Sequence, residues 1–158
     1  MGSLLSEIFD VRSIKLNLDG KTKEPALSEL INCIADLHTG CNRLEMLATI
    51  REREKKISSG IGNGIAIPRT VCTGIGNMTG AIGVSQYGID YGAPDNKPVH
   101  VIFLLAMRGY TEENYLQIIN QIFKLAQSEA YPMIVNAKKA QDIHSILSQT
   151  YSNTRRIT

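Results

Sequence analysis

The chain holds 158 residues, 43% apolar and 20% charged, with a formal net charge of +2. That length suits one compact domain able to bury most of its apolar surface without staples, and the dispersed, nearly balanced charge excludes an electrostatic footprint for nucleic acid. No apolar run approaches the roughly 20 residues of a membrane span, and the N-terminus lacks the basic region, apolar core and cleavage site of a signal peptide.

Residues 4–9 and 14–18 are short apolar stretches, read as a brief helical turn followed by an edge strand. Leu27, Leu30, Ile31 and Ile34 recur at helical spacing and predict a helix over 26–37. Asn42 and Glu45 stand at capping-box spacing and open a second helix. It carries Leu44, Leu47 and Ile50 and ends in the charged run 51–56. Residues 65–67 allow only a short strand, which Pro68 stops. Two longer strands are expected over 80–87 and 98–107. The second is apolar on both faces, as a strand covered on both sides requires. Thr111 is the expected N-cap of a helix whose inward face carries Tyr115, Ile118, Ile119, Ile122, Phe123 and Ala126. Shorter helices are expected over 133–137 and 140–150, and the polar tail 152–158 is expected to fray. Helices flanking a strand-rich middle predict a single α/β domain over 1–151.

Residues 58–68 read Ser-Ser-Gly-Ile-Gly-Asn-Gly-Ile-Ala-Ile-Pro. Taken locally, the three alternating glycines permit a tight turn and little more. They are no Walker A loop, because no Gly-Lys-Ser/Thr follows. The spacing is also wrong for a dinucleotide fingerprint, and the loop follows a charged helix instead of a strand.

The longer pattern is specific. Arg53-Glu54, a three-residue spacer and then Ser58-Ser59-Gly60-Ile61-Gly62-Asn63-Gly64-Ile65-Ala66-Ile67-Pro68 resembles the active-site signature of enzyme IIA domains of the sugar phosphotransferase system, in their fructose, mannitol and nitrogen-regulatory branch. Lys23-Glu24-x-Ala26-Leu27, Gly88-Ile89-Asp90-Tyr91 and the stretch 97–105 resemble that family's first long helix, its turn and its central strand. The resemblance implies a three-layer α/β/α fold with a central mixed sheet of about five strands. It also implies a phosphohistidine carrier that accepts its phosphoryl group from the phosphocarrier HPr on the histidine after Ile-Pro. A neutral imidazole nitrogen is nucleophilic near pH 7, which is what such transfer needs.

Here the residue after Pro68 is Arg69, and the family's second histidine corresponds to Tyr115 in Asn114-Tyr115-Leu116. A guanidinium stays protonated and offers no lone pair to phosphorus. Two departures in one pocket imply a lineage that gave up the transfer chemistry. Arg69 can instead bind an anion, a carboxylate or a phosphate; a solvated surface arginine accounts for it equally. The resemblance places Arg53, Ser59, Gly60, Gly62, Asn63 and Gly64 around the same pocket. For Arg53 the plainer account is a helix-end ion pair with a nearby glutamate.

Of the other candidates, His100 opens the central strand and is the one credible substitute acceptor, although a lone histidine is more often a satisfied, half-buried residue. His38 reads as a capping or surface residue and His144 as solvated. Cys33, Cys41 and Cys72 show no CxxC and fit free thiols in a reducing cytoplasm, with Cys72 an inert buried thiol. No histidine–cysteine cluster has metal-ligand spacing, so neither metal nor cofactor is expected. The expected protein is a regulatory binding module that docks HPr-like or regulatory proteins, or a membrane transporter or sensor. The alternatives are an active phosphocarrier using His100 and a sensor of a small anion.

Overall fold

The computed structural model describes residues 3–76, 78–108 and 112–157, with the side chains of 112–114 and 150–157 outside the description. The elements in chain order are α1 (Leu4–Ile8), a 3₁₀ turn (Val11–Ser13), β1 (Ile14–Lys15), α2 (Lys23–Leu37), α3 (Arg43–Lys56), β2 (Gly60–Gly62), β3 (Ile65–Ala66), β4 (Arg69–Val71), β5 (Met78–Ile89), β6 (Val99–Met107), α4 (Glu112–Ala126), α5 (Ala130–Val135) and α6 (Ala140–Ile157). The sheet is mixed and six-stranded, in the order β1-β5-β6-β3-β2, with β4 also paired to β6. β5 and β6 are antiparallel; β1 on β5, and β3 and β4 on β6, are parallel.

β6 explains the layering. Its side chains alternate faces, and every one from Val101 to Ala106 is fully buried. Ile102, Leu104 and Ala106 pack with α2 and α3, through Leu27, Leu30, Ile34, Met46 and Ile50. Val101, Phe103 and Leu105 pack on the opposite face with α1, α4, α5 and α6, through Leu5, Ile118, Ile122, Ile134 and Leu147. The continuous apolar run is therefore two alternating runs, each facing its own helical layer.

The six strands agree with the expected mixed sheet of about five, and β2, β3 and β4 all lie on the side of β6 away from β5. β2 and β3 form a hairpin closed by Asn63 and Gly64, both with positive φ (57° and 81°). Asn-Gly between strands is the strongest short-range hairpin signal, since both residues tolerate the left-handed turn. The alternating glycines hide this hairpin in the sequence, because its strands are only two and three residues long.

Two helical faces also differ from expectation. Asn42 caps α3 by accepting from the Glu45 amide. From that start Met46 and Ile50, one turn apart, face the core, and Leu44 projects outward with 79% of its surface exposed. In α4 the buried line is Ile118, Ile122 and Leu125, which leaves Phe123 41% exposed. The expected N-cap Thr111 lies outside the described residues. The expectation of a frayed tail falls where Thr158 and the side chains of 150–157 also lie outside them. No described helix is long and apolar enough to cross a membrane.

Cys41 and Cys72 are joined in a disulfide, with Cα atoms 5.4 Å apart and a sequence separation of 31. This corrects the reading of Cys72 as an inert free thiol; only Cys33 is free. Spacing could not reveal the pair, because the fold alone brings the turn before α3 against the end of β4. Gly40 and Gly74 touch there, and a Cβ on Gly74 would lie 2.3 Å from the Gly40 carbonyl.

Candidate functional site

A cleft of about 390 Å³ opens between the end of α3, the 57–69 segment and α4. Arg53 and Lys56 reach it from the last turns of α3, Arg69 from the first residue of β4, and Tyr115, Ile119 and Phe123 from α4. Ser58, Ser59, Ile61, Ile67 and Pro68 line its floor. Sequence-distant residues meet because β3 and β4 pair end to end along the same edge of β6. Ala66 lies opposite Ile102 and Arg69 opposite Leu105. The two-residue step over Ile67 and Pro68 is held at both ends: Ile67 N–H donates to the Ser59 carbonyl (3.0 Å), and Leu105 N–H donates to the Pro68 carbonyl (2.9 Å).

Glu54 anchors the arch from beneath. Its carboxylate accepts from the Ser59 amide (2.9 Å), the Ser59 hydroxyl (2.5 Å) and the Tyr91 hydroxyl (3.0 Å). Lys23 Nζ stands 3.9 Å from the carboxylate and 4.7 Å from the centre of the Tyr91 ring. Burial and, after it, the Glu54 charge push the Tyr91 phenol far above its ordinary range, so it donates and does not ionise. Neither Glu54 as an anchor nor Tyr91 as its partner was read from the sequence. The available sign is the Arg53-Glu54 pair of the signature, whose glutamate is the residue that binds the segment.

The Arg69 guanidinium carbon lies 4.5 Å from the centre of the Tyr115 ring. A guanidinium stacks by its face and donates from its edge, so the two residues at the expected histidine places are in contact. Among the described residues, no carboxylate forms an ion pair with Arg53 or Lys56. Among the described lining residues three are cationic, Arg53, Lys56 and Arg69, and one is acidic, Glu54, which is already spent on hydrogen bonds. Around its mouth Ile57 is 79% exposed, alongside the half-exposed Phe123.

Of the other expected pocket residues, Gly60 and Gly62 belong to β2, Asn63 and Gly64 form the hairpin turn, and none of the four is among the residues lining the cleft. Asn63 N–H donates to Asp95 (3.0 Å), and the Gly64 carbonyl accepts from the amides of His100 and Val101 and from the Tyr131 hydroxyl. Gly64 has no room for a side chain, since a Cβ would lie 2.2 Å from the Tyr131 hydroxyl oxygen. His100 does not line the cleft. Its Nδ1 lies 2.9 Å from the Ser85 carbonyl, at the bulge where β5 loses register with β6. His38 caps α2 and its Nε2 lies 3.3 Å from Thr79 Oγ1. His144, expected in solvent, is half-buried with Nε2 2.9 Å from the Ser6 carbonyl. Among the described residues no group of histidine, cysteine or acidic side chains could hold a metal ion.

Comparison with known proteins accords with this geometry. The sequence model of the family described as "Phosphoenolpyruvate-dependent sugar phosphotransferase system, EIIA 2" matches residues 7–150. The chain is 28% identical to the fructose-specific EIIABC component of Bacillus subtilis, over 92% of this chain but only 23% of that much longer protein. It is 27% identical to the fructose-specific EIIA component of Haloferax volcanii, over 92% of this chain and 95% of that one. The crystal structure of nitrogen regulatory protein IIA-Ntr from Neisseria meningitidis superposes with a TM-score of 0.82 at 25% identity, covering 92% of this chain and 99% of that one. The Escherichia coli IIAMTL structure, solved in complex with phosphorylated IIBMTL, gives 0.73 at 15% identity over 89% and 99% of the two chains, a likeness of fold.

Proposed function

The chain belongs to the phosphoenolpyruvate-dependent sugar phosphotransferase system EIIA 2 family, and from that premise we propose that it is a regulatory binding module of the system that does not itself carry phosphate. The observation behind this reading is the lining of the cleft: Arg69 follows Ile67-Pro68, Tyr115 faces it, and no histidine of the described residues is among the lining groups. A permanently protonated guanidinium has no nucleophilic nitrogen. His100, the alternative acceptor, is turned to the Ser85 carbonyl outside the cleft.

The partner in this reading is a phosphocarrier of the HPr type or a regulatory protein, including one borne by a membrane transporter or sensor. Support comes from the apolar mouth with Ile57 and Phe123, where a protein surface can seat, and from the phosphorylated protein partner seen with the E. coli mannitol neighbour. Residues 1–151 act as the single docking domain, and the site of action is the cytoplasm. A second reading, sensing of a small anion, is favoured by Arg53 and Lys56, which line the cleft without an ion pair to any described carboxylate.

The deciding experiment incubates the chain with phosphoenolpyruvate, enzyme I and HPr and weighs the intact protein. We expect no phosphate on this chain while a control enzyme IIA gains one, together with retention of HPr or another component in a pull-down. A stoichiometric phosphate adduct abolished by His100→Ala would replace this reading with the phosphocarrier. Stabilisation by inorganic phosphate alone, with no protein retained, would favour the sensor.

A further inference from the structure

We propose that Cys41 and Cys72 are a reversible thiol–disulfide modification site, and that their oxidation state sets how firmly the cleft is held for its partner.

The disulfide ties together the two elements that build the cleft. Cys41 immediately precedes Asn42, the N-cap of α3, and Cys72 immediately follows β4. From that tie α3 runs to Arg53 and Lys56, and β4 runs back to Arg69. Eleven of the fourteen residues lining the cleft lie between the two cysteines in sequence; only Tyr115, Ile119 and Phe123 come from elsewhere. The bond therefore closes a loop that contains the floor and most of the rim.

Apart from the Glu54 hydrogen bonds at its far end and the Arg43–Asp36 and Arg51–Glu24 ion pairs with α2, little else fastens α3. Its buried residues are Met46 and Ile50 alone, whereas α2 buries Ala26, Leu27, Leu30, Ile31 and Ile34. One buried side-chain hydrogen bond joins α3 to β4, from the Thr70 hydroxyl to the Met46 carbonyl (2.8 Å). A helix with so few buried contacts belongs to the part of a fold that opens first. The tie, with the Thr70–Met46 hydrogen bond, thus secures the first turns of α3 to β4, while Glu54 secures the end that carries Arg53 and Lys56.

The chemistry balances with a small-molecule thiol of the glutathione class as reductant. Its thiolate attacks the Sγ of Cys41, the less buried of the two residues at 8% exposure against 2% for Cys72. The S–S bond breaks, and Cys72 leaves as a thiolate that takes a proton. A second small thiol attacks the mixed disulfide, releasing the Cys41 thiol and the small-molecule disulfide. The protein gains two electrons and two protons, which the two small thiols lose. The small-molecule disulfide drives the reverse. In a reducing cytoplasm a disulfide that forms is characteristically transient and redox-sensing, not structural. Cys33, half-buried on α2 with its thiol pushed up by burial, is a poor competitor for exchange. Regulation of docking presupposes the binding-module reading; the thiol chemistry and its effect on the cleft do not.

The test uses the full chain, equilibrated with oxidised glutathione or with dithiothreitol. Alkylation with iodoacetamide and intact mass should count one reactive cysteine in the oxidised protein and three in the reduced. Reduction should lower Tm by about 10 °C and speed amide exchange across 53–69 on the order of tenfold. Cys72→Ser should reproduce the reduced state under both conditions, and Cys33→Ser should leave the response intact. If Cys72→Ser fails to fold, reduced wild-type protein supplies the same comparison. Three alkylated cysteines after oxidant treatment overturn the site, as does a disulfide whose loss leaves exchange across 53–69 unchanged. HPr retained equally in both states overturns the regulation. HPr retained in neither, with the exchange change present, overturns the docking partner and leaves the modification site standing.

Discussion

β6 has two neighbourhoods that hold together by different means. On one side lies β5, a long antiparallel partner paired from Met78 through Ile89. Phe103 and Ile82 sit opposite each other there, both fully buried, and the Phe103 ring packs edge-on against Phe9 at 5.7 Å. On the other side lies the 58–71 arch, whose three strands span two or three residues each and whose shape depends on Glu54, Ser59, Tyr91 and the Asn63-Gly64 turn. The ladder is redundant and apolar, so it carries stability. The arch buries only Ile65, Ala66 and Ile67 in the core and is otherwise shaped by polar contacts, so it can present Arg69, Pro68 and Ser59 to a cleft. Rigid scaffold and displayed loop are neighbours on a single strand.

Substitutions on each side should separate these roles. The largest effect is expected from Phe103→Ala, which should cost about 3–5 kcal/mol from lost burial and a cavity. Denaturant unfolding followed by circular dichroism should then show most of the chain's stability gone; a loss below about 1 kcal/mol would mean that the ladder is not the keystone. Glu54→Gln keeps the shape but removes the charge that three donors share, and should cost about 1.5–3 kcal/mol. Its signature is local: faster amide exchange in 57–64, with β5 and β6 slow relative to global opening. Uniform acceleration would erase the distinction between the two neighbourhoods.

The smallest expected effect is that of Tyr91→Phe, about 1 kcal/mol at neutral pH, with a pH dependence of known sign. The folded phenol is held above its unfolded value near 10. Below that unfolded value both states keep the proton and the contribution is fully present. Above it the unfolded chain releases its proton while the folded chain keeps it, so stability falls as pH rises. Tyr91→Phe should therefore make the decline between about pH 9 and 11 shallower. An unchanged slope would mean that Tyr91 is not the buried donor to Glu54.

Much of the architecture was legible before any coordinates. β6 announced itself by an apolar run on both faces, α2 by its periodicity, and α3 by the cap at Asn42. The signature from Arg53 to Pro68 pointed to the family and to Arg69, and the fold places Arg53, Arg69 and Tyr115 around one cleft. What escaped the sequence was of another kind. Leu44 and Phe123 are apolar yet exposed, because a helical face is chosen by what packs against it and not by hydrophobicity alone. Glu54 looked like one charge in a run of six, and only its approach to Ser59 and Tyr91 makes it an anchor. The bond between Cys41 and Cys72 follows from two turns brought into contact by the sheet order.

The sequence by itself determined the family, the layered α/β class and the cationic residue that follows Ile67-Pro68, since these reside in local pattern: periodicity, turn chemistry and the identity of one side chain. Only the tertiary structure decided which residues face the cleft, that Glu54 holds the arch, that His100 looks away from it, and that two cysteines 31 residues apart are joined. Each of those depends on distances between segments remote in the chain. Such distances are set by how the helical layers and the edge strands close around β6.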